Sequence, residues 1–242
     1  MTRVYEIRPD TDTEYARFDS LGNKPMKVIK YGPLPEDWRV PKLYIDEPRL
    51  PRPNFFVWGS SMSCIILDEK AMHYAGHLFE MSGQMFPFTY KDVITGKNEK
   101  YVLFKPTKCF DCLDEKKSLL DVVKRRFRYV FDPRRIQVDT PIITIPQLNS
   151  ADLFALEGVM SLRWMELKYC IDKFNLTGLK LTEVWSDGVE SWDDEDEEEE
   201  YDDIFKPWPE TEEAPSEKNI KKTTKRAIKK STSKKSAKRK KM

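Results

Sequence analysis

The charge distribution at the C-terminus limits what this chain can fold into. Residues 190–217 hold 15 acidic residues and a single base, Lys206, whereas residues 218–242 hold 13 basic residues and no acid. Like charges in such blocks repel, and few apolar groups are present to bury. The two blocks are therefore expected to form a disordered acidic linker over 189–217 and a disordered basic tail over 218–242. Ile204, Phe205 and Trp208 interrupt the acidity and offer a small docking element. The whole-chain net charge of +1 hides this division. Residues 1–189, with 28 basic and 26 acidic side chains, remain for folding. That length supports one ordinary domain with a real hydrophobic interior. Phe55, Phe56, Trp58, Phe86, Phe88, Phe127, Tyr129, Phe131, Trp164 and Trp185 supply bulk for such a core.

Several classes are excluded on composition. The longest uncharged run, 53–67, contains Asn, Gly and three Ser. It is too short and too polar for a transmembrane helix, which needs roughly 20 apolar residues. The start of the chain, MTRVYEIRPDTDTE, is charged and lacks the apolar core of a secretory signal. Cys64, Cys109, Cys112 and Cys170 are too few and too irregular for a disulfide framework. The expectation is a cytoplasmic protein in a reducing compartment with no membrane partner.

The organisation expected from local pattern is α+β. One domain would hold a short mixed or antiparallel sheet and two strand–helix–strand units. Residues 1–62 hold 8 of the 16 prolines and are expected to wrap the domain. Only 4–7 (VYEI) and 27–31 (KVIKY) read as strands there. The domain proper is placed at 63–188. Its first unit runs from an apolar strand at 63–67 through Asp68, a good N-cap, into a helix over 69–81. Ser82-Gly83 ends the helix, and strands follow at 84–88 and 101–104 around a Thr95-Gly96 turn. Residues 111–120 read as a turn. The run 126–131 (RFRYVF) alternates, with Phe127, Tyr129 and Phe131 on one face and Arg126 and Arg128 on the other. A short strand is expected at 142–145. The second unit consists of an apolar run at 153–156, a helix over 160–174 stopped near Thr177-Gly178, and a strand at 179–185. It resembles the first unit in order. An internal repeat and a chance recurrence of α+β units are both compatible with that.

The middle of the chain carries a family resemblance. The segment KYVLFKPTKCFDCLDEKKSLL (100–120) resembles a bacterial immunity-protein family of polymorphic toxin systems. This is the family numbered eleven among the immunity families and formerly a domain of unknown function. The shared phrase falls on Cys109-Phe110-Asp111-Cys112-Leu113-Asp114-Glu115-Lys116-Lys117-Ser118. IILDEKAMHYAGHLFEMSGQMFPF (65–88) and LFALEGVMSLRWMELKYCIDKFNLTGLKLTEVW (153–185) are similar to two flanking elements of that family, in the same order. The resemblance spans roughly 60–188. It implies a cytoplasmic, non-catalytic α+β protein that binds and neutralises a cognate toxin. It carries over no catalytic residues, and it leaves the charged C-terminus unexplained.

Reactive residue types are sparse, and each has a plain packing alternative. Cys109 and Cys112 form a CxxC, but zinc needs four ligands and no second pair exists. A redox pair needs a low-pKa thiol, and Asp111 between them would raise one. His73 and His77 are the only histidines. With Glu80 they share one helix face, which suits a two-His-one-carboxylate metal site but lacks the HExxH glutamate. Strand-end packing for the cysteines and half-buried helix packing for the histidines are the competing readings, so no cofactor is expected. No phosphate-binding glycine loop and no GxSxG elbow occur.

Two basic features point to partners. Lys124, Arg125, Arg126, Arg128, Arg134 and Arg135 are the densest basic cluster outside the tail. If the aromatics between them face the core, these cations suit an acidic protein surface better than stacked bases, and a simple solvated strand face is an equal alternative. The tail offers Lys221, Lys222, Lys225, Arg226, Lys229, Lys230, Lys234, Lys235, Lys238, Arg239, Lys240 and Lys241 to phosphates. This arrangement supports an alternative function as a nucleic-acid-associated accessory protein. The neighbouring acidic block competes for the same cations at close range, within a Debye length of about 8 Å. Deleting 190–217 is therefore expected to raise DNA affinity several-fold at low salt. An anisotropy titration with unchanged affinity would rule out such masking.

Overall fold

The computed structural model describes residues 1–20, 32–58, 64–120, 126–148 and 152–188. The expected strand at 27–31, the acidic block and the basic tail lie outside the described residues. The fold is α+β, with strands paired antiparallel in every sheet.

The first sheet grows from the apolar run before Asp68. Strands β4 (Phe55–Val57), β5 (Ile65–Leu67), β6 (Gly83–Lys91) and β7 (Asn98–Pro106) line up in the order β4-β5-β7-β6. Helix α1 (Glu69–Ser82) starts where the Asp68 carboxylate accepts the Ala71 amide at 2.7 Å. It ends without a left-handed cap, because Gly83 is extended and enters β6 at once. Glycine is needed there for space: a Cβ would lie 2.2 Å from the Lys105 carbonyl oxygen. Phe55, Phe79 and Phe104 fill the layer between this sheet and α1, with Phe79 4.9 Å from Phe104.

The second sheet has the order β10-β11-β1-β12, from β1 (Arg3–Pro9), β10 (Ile142–Ile143), β11 (Leu153–Glu157) and β12 (Leu179–Ser186). Phe154 and Leu156 enter a core with Val4, Tyr129, Phe131 and Ile143, while Leu153 and Ala155 are buried on the opposite side. Thus β11 is covered on both faces. Helix α2 (Leu167–Phe174) packs on β11 and against α1, where Tyr74 and Phe174 stack at 3.9 Å.

The two sheets share one topology. In each, a strand–helix–strand unit leaves its two strands parallel, with a third, antiparallel strand inserted between them. In the first unit β7 separates β5 from β6, and in the second β1 separates β11 from β12. A short outer strand, β4 or β10, flanks each unit on the same side. The inserted strand follows its unit in the first case, whereas in the second it comes from the other end of the chain. The first residues therefore lie inside the second sheet instead of wrapping it. Further N-terminal strands, β2 (Arg17–Ser20) and β3 (Leu43–Asp46), pair with each other.

Several expected elements differ in extent: the strands expected at 84–88 and 101–104 run for nine residues each, as β6 and β7, and the one at 142–145 is regular only over β10. The helix expected over 160–174 is a 3-10 turn (Arg163–Met165) followed by the eight residues of α2. Glu166 is extended between them, and its carboxylate accepts the Gly158 amide at 2.7 Å. The strand expected over 126–131 is regular only as β9 (Arg126–Arg128), paired with β8 (Leu119–Leu120). At Val130 the Ser118 hydroxyl accepts the N–H at 2.9 Å and donates at 3.2 Å to the carbonyl, which also accepts the Asp114 amide at 2.8 Å.

Candidate functional site

The cysteine pair sits where the 109–114 segment crosses the second core. Cys109 bridges Thr144, and Cys112 is fully buried beside Leu113 and Phe131. Burial pushes the Cys112 thiol up to about 12, with Asp111 adding to the shift. A thiol held in that state is a poor nucleophile and a poor ligand at neutral pH. None of the four cysteines forms a disulfide.

The histidines part company on α1. His73 is exposed, with its ring 4.6 Å from Tyr74. His77 is half-buried, and its Nε2–H donates to the Trp164 carbonyl at 3.0 Å. Burial lowers its pKa, against the opposing pull of that bond and of Glu80. His77 thus ties α1 to the turn before α2. Among the described residues, no three His, Cys, Asp or Glu side chains gather where they could hold a metal ion.

The basic cluster is only partly brought together. Lys124 and Arg125 lie outside the described residues, and Arg126 is placed by its backbone in β9 alone. Arg128 and Arg134 are exposed. Arg135 is engaged by Asp111 and Asp132, each at 3.5 Å. Tyr129 and Phe131 face the core, only 5.4 and 6.1 Å from the Phe154 ring. Tyr129 and Phe131 are therefore not placed beside the arginines for stacking on a base, and the Phe127 side chain is outside the described ones. The tail cations from Lys221 to Lys241 also lie outside the described residues.

A cleft of about 570 Å³ opens where the chain start meets α2. Its lining includes Arg3, Glu157, Glu166, Lys168 and Asp172. These charges answer one another: Arg3 pairs with Glu157 at 3.5 Å and Glu183 at 3.9 Å, and Lys168 pairs with Asp172. Glu157 also receives the Tyr5 hydroxyl, and burial first, then this bond, pushes Tyr5 up to about 12.

One buried ionisable group had no sequence expectation attached to it. Lys105 on β7 is 2% exposed, and its ammonium donates to the Pro106 carbonyl at 3.2 Å. Burial lowers its pKa, and the nearby Cys64 opposes that shift. Its cross-strand neighbour Gln84 clamps the Leu34 backbone, accepting the Leu34 amide at 2.6 Å and donating to its carbonyl at 3.2 Å. The proline-rich segment is thereby held beside the strand pair that carries Lys105. Strand alternation was the available signal, since Lys105 follows Tyr101 and Leu103 on one face of β7.

A single carbonyl does not compensate a buried ammonium. Lys105→Met is therefore expected to stabilise the protein by about 1–3 kcal/mol at neutral pH. The sign follows from proton binding. With the folded-state pKa below the ordinary 10.5, the folded form binds fewer protons in that window, so wild-type stability rises as pH climbs through it. The advantage of Lys105→Met should shrink over the same window. Urea titrations of both proteins at several pH values measure this. A variant less stable than wild type would refute the argument.

The chain matches no protein-family model, no curated protein and no solved structure. Among the described residues, no helix is long and apolar enough to cross a membrane.

Proposed function

We propose that this chain is a non-catalytic, cytoplasmic immunity protein that binds and neutralises a cognate polymorphic toxin. The observation that carries the reading is the ordered set of three motifs resembling the immunity family. The outer two motifs, 65–88 and 153–185, coincide with the two topologically equivalent units. The middle motif leads from β7 through the Cys109–Ser118 segment into the second core. The reactive residue types add support, because Cys112 and His77 are taken up in packing. A binding protein needs shape and complementary charge, and its specificity resides in the surface it offers.

Co-expression tests the reading. Cells producing the toxin encoded beside this chain should survive when the full chain is present, and the two proteins should co-purify. Failure of both would overturn the proposal. The second reading, nucleic-acid association through 218–242, rests on the 13 bases and absent acids of that segment. It requires binding that weakens steeply with salt and vanishes when 218–242 is removed.

A further inference from the structure

The β6–β7 hairpin outruns the sheet it belongs to. β5 pairs with β7 only from Val102 to Phe104, whereas β6 and β7 remain paired out to Lys91 and Asn98. The far part of the hairpin is thus a two-stranded arm. Isolated hairpins are marginal in water, and this one is braced twice. Along the inner face of the arm, the buried Phe18 ring of β2 lies 5.5 Å from Tyr90 and 5.1 Å from Tyr101. Near the tip, Arg52 forms ion pairs with Asp92 of the turn and Glu99 of β7.

The turn itself is fixed from within. The Asp92 carboxylate is buried and accepts the Ile94 and Thr95 amides. The Asp92 amide donates to the Lys97 carbonyl at 2.8 Å, and the Gly96 amide donates to the Asp92 carbonyl at 2.9 Å. All this order presents two aliphatic side chains to solvent. Val93 is 71% exposed and Ile94 58%, and they are the exposed large hydrophobics of the described residues. Polar residues would serve a turn equally well. An ordered apolar tip has already lost the conformational freedom that binding would otherwise remove, which suits it to act as an anchor.

Charge indicates what the anchor fits. The carboxylates of Asp92 and Glu99 turn inward to Arg52. Lys91 and Lys100 are exposed, and the register puts both on the opposite face of the arm, with Lys97 exposed at the turn. The surface around Val93 and Ile94 is therefore cationic. We infer that this tip is a docking surface that inserts Val93 and Ile94 into an apolar cleft rimmed by carboxylates on the partner protein. The inference rests on the toxin-binding reading above and names the surface that performs it. An anionic membrane shares part of this chemistry. The tip, however, has no Trp or Tyr of the kind that anchors proteins at a bilayer interface, and a narrow two-stranded arm is shaped for a cleft.

The test measures binding of the full chain to the inactivated toxin domain encoded beside it. Val93→Ser/Ile94→Ser is expected to weaken binding by at least about 30-fold with an unchanged melting temperature, because the turn is held by backbone groups and Asp92. Lys91→Glu/Lys100→Glu is expected to slow association about tenfold at low salt and to lose that effect at high salt. If the wild type binds and Val93→Ser/Ile94→Ser binds within about threefold of it, the docking inference fails and the toxin reading stands. If the wild type does not bind, both fail. Co-sedimentation with phosphatidylserine vesicles that depends on Val93 and Ile94, with toxin binding intact, would also overturn the inference and make the tip a membrane contact.

Discussion

Replacing Phe18 with alanine is expected to destabilise the protein by about 3–5 kcal/mol, the range for truncating a fully buried Phe. Phe18 is 0% exposed although it comes from the four-residue strand β2, outside both repeated units. Its ring lies 4.9 Å from Phe56, 5.8 Å from Phe88, 5.5 Å from Tyr90 and 5.1 Å from Tyr101. Alanine removes the ring on which these four converge, and most of their contacts are edge-on and specific in geometry. Nearby Ala16, Leu43 and Ile45 lie on the paired strands β2 and β3 or just before them, so collapse into the void is limited. The measurement is a urea midpoint at unchanged slope. A loss below about 1 kcal/mol would show that the N-terminal hairpin covers this sheet without supporting it.

That prediction concerns the region least legible in the sequence. The proline density of residues 1–62 suggests an irregular wrap, and Gln84 does grip such a segment at Leu34. Yet β1 is an interior strand bonded on both sides, and β2 supplies the centre of an aromatic cluster. Short strands with partners far along the chain leave only a weak local pattern, because what fixes them is cross-strand packing. The unit around α1 is the opposite case. Asp68 as cap and the helical spacing over 69–81 are local signals, and each appears in place.

The candidate sites divide in the same way. A CxxC and an i, i+4 histidine pair are visible in any sequence, but whether they are reactive depends on burial. The second core closes over Cys112, and the Trp164 carbonyl engages His77. The hairpin tip left a local trace, the run Val93-Ile94 beside Thr95-Gly96. Its significance arises only from Arg52, 40 residues away from Asp92 in the chain. Lys105 was hidden for a related reason, since local sequence does not reveal that both faces of the end of β7 are buried.

Gly178→Ala is expected to cost at least about 3 kcal/mol, through a joint between the two units. Gly178 has φ +102°, a conformation L residues rarely adopt, and an added Cβ would lie 2.1 Å from the Phe55 carbonyl oxygen and 2.6 Å from the Pro53 Cβ. Neither neighbour is free to yield. The Phe55 amide donates to the Thr177 carbonyl at 3.0 Å, and the Gly178 carbonyl accepts the Asp10 amide at 3.0 Å. Asn54 Oδ1 accepts the Thr177 amide at 3.0 Å, while Asn54 Nδ2 donates at 2.9 Å to Asp68, the residue that caps α1. A shift at Gly178 therefore disturbs the entry to β12, the start of β4 and the cap of α1 together. Gly96→Ala separates backbone strain from crowding. Gly96 also has positive φ, at +73°, but no atom lies within 4 Å of its added Cβ. That variant should lose only about 1 kcal/mol, the cost of holding alanine in left-handed geometry. Equal losses for the two variants would show that backbone conformation alone sets the cost and that the close approach at Phe55 relaxes freely. A loss at Gly178 larger by about 2 kcal/mol or more would place a rigid seam where β12 leaves α2.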